Sequence, residues 1–255
     1  MKKLWKNGIF LTASGVASLL LVWVVAFAVV GNEYVLPSPW KTFSAAVELL
    51  GQDAFYAAFF ATLGRAFFAF FLAFFLGGGL GLLAYLFPFF EKFMSGIIAA
   101  LRSLPTMAVL LLILVGVSHS FAPVLVGALT LLPLLYTAVY TALCGVSREL
   151  IEMCDVYRVP MKERVRRLYF PTALPLVFAD GIAALSFSLK LTVSAEVLAF
   201  TYRSIGGWMQ ESALAAETAM VMALTVFVCL VGVLIESLGA GARKYFELQG
   251  VEECD

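Results

Sequence analysis

The stretch "IEMCDVYRVPMKERVRRLYFPTALP", residues 151–175, decides how the rest of the chain is read. It holds five of the seventeen Lys and Arg residues: Arg158, Lys162, Arg164, Arg166 and Arg167. On both sides the sequence is oily and nearly free of charge. Of 255 residues, 62% are hydrophobic and 13% charged, whereas a soluble domain is ~45–50% apolar and ~25% charged. A soluble core cannot take up that excess without exposing large apolar patches, but a bilayer can. Net charge is zero, which removes the electrostatic case for a nucleic-acid partner and leaves membrane lipid as the natural surroundings.

A helix that crosses the hydrocarbon needs about 20 apolar residues. Six windows qualify: 9–30, 54–87, 93–117, 121–146, 173–200 and 218–235. The expected fold is therefore all-α, a polytopic membrane protein with six transmembrane helices. The first window follows "MKK", yet it is too long for the apolar part of a signal peptide and has no evident small-residue cleavage site. Residues 1–30 are read as an N-terminal membrane helix, and 31–53 as an outer loop in which Ser38 or Pro39 opens a short interfacial helix. Residues 54–246 form the core with a loop at 147–171, and 247–255 form a tail. With the N-terminus in the cytoplasm, the inner segments collect thirteen basic residues: Lys2, Lys3, Lys6, Lys92, Arg102, Arg148, the five quoted above, Arg243 and Lys244. Only Lys41 and Arg203 fall outside. This bias predicts both termini, and the 151–175 segment, on the cytoplasmic side.

Window 54–87 reads either as one long tilted helix or as a surface helix running into a span. Its "GGGLG" at 77–81 contains the G-x-x-x-G spacing that lets helix backbones touch. It is not a phosphate loop, because no Lys-Ser/Thr follows, and no such motif occurs elsewhere in the chain. Hydrolysis of nucleotides by that route is excluded. Cys144, Cys154, Cys229 and Cys254 are scattered without metal or redox spacing. His119, between Ser118 and Ser120, reads as a solvated residue in a short connection.

Within the basic segment, residues 149–159 read as a short helix, with Leu150, Cys154 and Tyr157 at helical spacing and Pro160 ending it. Residues 161–168 read as a second short helix with Met161, Val165 and Leu168 on one face. "FPTALP" then returns the chain to the membrane. A short helix with a small apolar face and a charged rim suits a groove on another protein. An ordinary basic loop that fixes topology has the same appearance, and local physics leaves both open.

The segment resembles the cytoplasmic loop of permeases from ATP-binding-cassette (ABC) importers, whose pattern is E-A-A, three residues, G, nine residues, I-x-L-P. Glu152-Met153-Cys154 stands at E-A-A, Arg158 at the glycine, Leu168 at the isoleucine and Phe170-Pro171 at L-P. "PSPWKTFSAAVELL", "TLGRAFFAFFLAFFLGGGLGLL", "LRSLPTMAVLLLILVG" and "VSAEVLAFTYRSIGGWM" look like the corresponding stretches of the nitrate, sulfonate and taurine branch, from about residue 37 to 246. Arg158 departs from the pattern. It cannot take a left-handed turn at glycine's low cost, so the turn is expected to be built differently, with help from Pro160.

The resemblance implies a type I importer permease that forms a homodimer in a bacterial inner membrane. It further implies a separate ABC ATPase subunit that binds and hydrolyses ATP, and an extracytoplasmic substrate-binding protein. This chain itself would carry no cofactor, metal or catalytic residue. The ATPase-docking residues would be Glu149, Glu152, Met153, Cys154, Arg158, Pro160, Leu168 and Pro171. The solute would be small and anionic or heterocyclic. Charges inside the membrane are functional candidates by default, so Arg65, Lys190 and Glu196 join Arg102 and Pro105 as candidate path residues. Lys190 and Glu196 are six apart and not on one helix face, which makes Arg65 a reasonable partner for Glu196. Lys190 is the candidate contact for an anionic solute, and Asp180 is read as interfacial. Pro105 should kink or loosen its helix. Arg203, Gly206, Gly207 and Trp208 form an outer turn. The alternative is an ATP-independent secondary transporter or channel, which would favour internal repeats with matched broken helices; no convincing repeat is seen.

Overall fold

Glycine spacing sets the central helix pair. In the computed structural model, which describes residues 2–252 and the side chains of 14–241, a Cβ added at Gly77 would lie 2.6 Å from the Leu132 carbonyl oxygen. One added at Gly81 would lie 2.5 Å from that of Tyr136. Only glycine allows this approach, and the matched four-residue steps mean that α3 (Asp53–Leu86) and α6 (Ala122–Cys144) run parallel. α3 is a single helix of 34 residues, about 51 Å long at 1.5 Å per residue. Of the two readings of window 54–87, the single long helix is the one observed.

α9 (Phe170–Ala199) lies antiparallel to α3. The Ser188 hydroxyl donates to the Ala66 carbonyl at 2.8 Å, while Glu196 reaches Thr62, one turn earlier on α3. α3, α6 and α9 bury Phe70, Ala73, Leu131, Leu135 and Ala184 between them. α11 (Thr218–Glu252) and α2 (Pro39–Leu50) cover the side formed by Phe55, Leu189, Val193 and Leu224. There Phe227 meets Phe55 edge-on with centroids 4.9 Å apart. α2 opens as its sequence predicts: the Ser38 hydroxyl accepts the Lys41 N–H at 3.3 Å, and Pro39 sits in the first turn.

Among the described residues, four helices are long and apolar enough to span a membrane: α3, α6, the continuous helix Met161–Ala199, and Thr218–Gly241. Window 93–117 is not a straight span. It divides into α4 (Pro88–Ser103) and α5 (Thr106–Gly116), which meet at 92°. Pro105 has no N–H to continue the ladder and pushes Leu104 into extended geometry, ψ 126°. α1 (Lys2–Val30) contributes a shorter described apolar helix, Ser14–Val30. The side chains of Lys2, Lys3, Lys6, Arg243 and Lys244, and those of the 247–255 tail, lie outside the described residues. Large apolar side chains such as Phe75, Leu112 and Val115 are exposed on the bundle's flanks, as expected of a surface wetted by lipid.

Candidate functional site

Three places gather the residues singled out in the sequence: the two ends of the bundle and a cavity at mid-height.

At one end, α7 (Arg148–Val156) hangs from α6 on a short turn. Cys154 is its one buried side chain, whereas Met153, Val156 and the following Tyr157 are 50%, 79% and 76% exposed. Glu149 and Glu152 are exposed as well. The helix ends in a paired set of bonds: the Val159 N–H reaches back to the Cys154 carbonyl at 2.9 Å, and the Arg158 N–H to that of Asp155 at 3.1 Å. This is the Schellman arrangement, which needs a left-handed residue at the first position past the cap. That residue is Arg158, with φ +50°. The expectation of a differently built turn is therefore corrected: the left-handed turn is kept, without glycine. Arg164 holds it. Its Nε donates to the Val159 carbonyl at 2.8 Å, one Nη to the Cys154 carbonyl at 3.0 Å, and the other to Asp155 Oδ1 at 2.5 Å. Nothing in the sequence pattern marks Arg164 out from the other basic residues of the segment.

The expected second short helix is also corrected. α8 (Met161–Arg164) passes through a π-turn at Val165–Tyr169 directly into α9, so Leu168 and Pro171 lie within one continuous helix. The wide turn, with the Phe170 N–H bonded to the Val165 carbonyl, absorbs the register change where Pro171 can supply no donor. Pro160 sits just before this helix in extended geometry. Tyr169 meets Tyr85 of α3 edge-on, centroids 5.9 Å apart, which ties the loop's exit to the core.

At the opposite end, Glu196 is 0% exposed and fully bonded. Its Oε1 accepts from Arg65 Nη1 at 2.6 Å, and its Oε2 from the Thr62 hydroxyl at 2.9 Å and the Gly206 N–H at 3.2 Å. Thr62 in turn accepts the Ile205 N–H at 3.0 Å. One carboxylate thus holds α3, α9 and the start of α10 (Ile205–Leu214) together. α10 reaches it because a Cβ on Gly206 would fall 2.4 Å from that of Glu196. Arg203 is exposed, with φ +50°, and its guanidinium lies over the Tyr202 ring, 5.4 Å from the centroid. Trp208 packs against the core beside Phe55. His119 is not merely solvated: its Nδ1–H donates to the Ala199 carbonyl at 2.6 Å, and its own carbonyl accepts from Thr201 at 2.9 Å.

Between the ends, Lys190 lies 3.8 Å from Glu236 on α11, both half exposed. Glu236 also accepts from Ser186 at 2.7 Å. Asp180 is exposed on α9. Arg102 departs most from its sequence reading. Placed there near the inner start of a span, it stands instead at the end of α4, level with the middle of α6. It donates to the Thr137 hydroxyl and, at 3.4 Å, to the Pro133 carbonyl. The 92° bend at Pro105 is what brings it there. Among the described residues, no group of three or more His, Cys, Asp or Glu side chains is placed to hold a metal ion.

Residues 73–241 match a family model described as "Binding-protein-dependent transport system inner membrane component". No curated protein matches the sequence. Among solved structures, the chain is similar to one of a bacterial ABC transporter involved in the import of the acidic polysaccharide alginate, with TM-score 0.67 and 15% identity over 95% of this chain and 99% of that one. It is also similar to one of the MetNI methionine ABC transporter in an inward-facing conformation, with TM-score 0.63 and 20% identity over 73% and 93% of the two chains. A third, an amino acid ABC transporter with histidines, gives TM-score 0.62 and 15% identity over 77% and 94%. At these identities the likeness is one of fold.

Proposed function

The chain belongs to the binding-protein-dependent transport system inner membrane component family, and from that premise we propose how this ABC importer permease subunit works and what it works with. It performs no chemistry of its own; ATP is bound and hydrolysed by a separate ABC ATPase subunit. Two copies of the chain pair in a bacterial inner membrane, both termini in the cytoplasm, and an extracytoplasmic binding protein delivers the solute to the α10 end. The solute is small and anionic or heterocyclic, in keeping with the resemblance to the nitrate, sulfonate and taurine branch.

The loop at 147–171 is the coupling element. α7 seats in a groove on the ATPase, with Glu149, Glu152, Met153 and Cys154 on the docking helix. Arg158 and Pro160 form its closing turn, and Leu168 and Pro171 belong to the stem that enters the membrane. When ATP closes the two ATPases, the paired loops are drawn together and the bundle turns from inward-open to outward-open. The observation that carries this reading is the free apolar face of α7, Met153, Val156 and Tyr157, presented on a helix whose end is fixed by Arg158 and Arg164. A rigid knob transmits displacement, whereas a loose loop absorbs it. The continuous helix Met161–Ala199 supplies the lever, since any movement of the turn is passed directly along α9.

The test is uptake by the complete importer in vesicles, with ATP hydrolysis measured in parallel. Glu152→Lys, or Met153→Pro to break the docking helix, should leave hydrolysis in place and lower uptake by about 5–150-fold, the span of ordinary site-to-site coupling of ~1–3 kcal/mol. Normal uptake in these variants with the ATPase still bound would show that the loop does not couple the two. Copurification of an ATPase subunit with the tagged chain separates this reading from that of an ATP-independent carrier.

A further inference from the structure

The charged side chains within the membrane-spanning region are not equivalent. Arg65 is matched by Glu196 at 2.6 Å, and Lys190 faces Glu236 at 3.8 Å. Arg102 has no acidic partner among the described residues; its contacts are a hydroxyl and a carbonyl. A guanidinium carries five donors in a rigid fork, and two acceptors on one turn of α6 leave part of that fork unused. It stands at the wall of a cavity of about 310 Å³, lined by Leu101, Val109, Leu129, Leu134 and Phe187 together with the edges of Thr106 and Thr130. That volume falls at the small end of the range for ligand pockets, roughly 300–1,000 Å³. Among the described residues, no acidic side chain lines it; Asp180 lies two helical turns from Phe187 on α9. The cavity owes its shape to the break at Pro105, which opens space beside α6, and to Pro133, whose carbonyl helps hold the guanidinium in place.

Arg102 is exposed, and a cation that faces open space at mid-height of a membrane bundle with no acidic partner among the described residues is a functional candidate. We propose that Arg102 is a specificity-determining residue of the translocation path: it receives the oxyanion of a small organic anion, a carboxylate or a sulfonate, while the apolar remainder of the solute lies against Val109, Leu134 and Phe187. Planar oxyanions match the guanidinium fork in two-point fashion, and the single cation sets the preferred charge at one. Lys190, being matched by Glu236, offers no such unfilled charge. The inference rests on the permease reading, because a path residue presupposes a path.

The experiment is solute protection of a cysteine placed in the cavity wall. Thr106→Cys is introduced into a chain whose own cysteines are serine, and the permease–ATPase complex is purified without nucleotide. Its reaction with the uncharged reagent N-ethylmaleimide is timed in the presence of benzoate, benzenesulfonate or the neutral isostere benzamide. Both anions should slow labelling by about fivefold or more, as a charge-assisted pair would, and benzamide should leave it unchanged. Ser118→Cys, at the α10 end, should react at one rate throughout. Arg102→Gln should abolish protection, and Arg102→Lys should retain part of it. Equal protection by benzamide, protection that survives Arg102→Gln, or no protection by any probe would overturn the proposal. Should Arg102→Gln fail to assemble, the anion-to-amide ratio in the Arg102 chain and the Arg102→Lys variant decide the matter. No ATP is used, so failure here leaves the importer reading intact, and failure of the ATPase to copurify leaves the protection result intact.

Discussion

The turn beyond α7 and the Glu196 cluster each hang on an arginine, and they are held in opposite ways. Arg164 acts over a short distance in sequence: its acceptors are Cys154, Asp155 and Val159, on the turn it closes. Asp155 is well exposed, so water can substitute for much of what Arg164 provides. Arg65 and Glu196 are 131 residues apart, and the carboxylate is completely out of solvent. Nothing there can replace a missing partner. The difference separates two tasks. The α10 end is locked, with three helices converging on one carboxylate. The α7 end is stiff yet accessible, which suits the docking role proposed for it.

The sharpest way to break this contrast is to empty the lock. Glu196→Ala should destabilise the purified protein by about 3–5 kcal/mol, because it strands a largely buried guanidinium, the Thr62 hydroxyl and the Gly206 N–H. Arg65→Met with Glu196→Met should recover much of the loss, since the charge goes with its partner. Unfolding in mixed detergent, scored for the two variants side by side, gives both numbers. A loss under 1 kcal/mol for Glu196→Ala would mean that water reaches the site and that the end is not locked.

A smaller effect is expected at the turn. Arg164→Ala should cost about 1–2 kcal/mol locally and speed amide exchange at Arg158 and Val159, leaving global unfolding nearly unchanged. Arg164→Lys should not rescue it, because three acceptors in a planar fork cannot be met by one ammonium. If Arg164→Ala unfolds the bundle as readily as Glu196→Ala does, the turn is part of the core and the contrast fails. The smallest effect is a gain. Arg158→Gly should stabilise the turn by about 1 kcal/mol, since the left-handed conformation carries roughly that penalty for a residue with a Cβ; amide exchange at Val159 should slow.

How much of this was legible beforehand differs by feature. A close helix approach at Gly77 and Gly81 followed from spacing, because a four-residue interval of hydrogen side chains admits a neighbouring backbone and little else; that the neighbour is α6 did not. The loop between 147 and 171 was legible as a motif, since charge density and register survive even where identities change. Arg65 with Glu196 could be suspected, as opposite charges in oily windows must be matched somewhere. Thr62 could not: threonine in a hydrophobic window carries no signal of what its hydroxyl touches. Arg164 was hidden among four other basic residues, and only the path of the backbone shows which of the five turns back onto the loop. His119 looked idle because its partner, the Ala199 carbonyl, is a main-chain atom of a distant segment.

The break at Pro105 teaches the same lesson from the other direction. A proline in an oily window predicts a kink, but not one of 92°, and the size of the bend decides everything about Arg102. Counted along a straight helix, that residue belongs near a membrane surface; counted along the observed path, it lies beside Pro133 at mid-bundle. The continuity of Met161–Ala199 went unforeseen for a related reason. Pro160 and Pro171 look alike in sequence, yet one precedes a helix and the other lies inside it, and the π-turn that reconciles the second is an adjustment of the whole helix rather than a property of any dipeptide.

By itself, then, the sequence determined that this chain is helical and lies in a bilayer, that one of its segments resembles the cytoplasmic loop of importer permeases, and where one helix admits a close neighbour. Hydrophobic runs, charge bias and glycine spacing act locally or through solvent, so they are written in the order of residues. Which arginine is matched by a carboxylate, which meets only a hydroxyl and a carbonyl among the described residues, and which one holds a turn were decided only by the tertiary structure. A buried charge responds to whatever lies within a few ångströms of it, and in a folded bundle those neighbours come from anywhere in the chain.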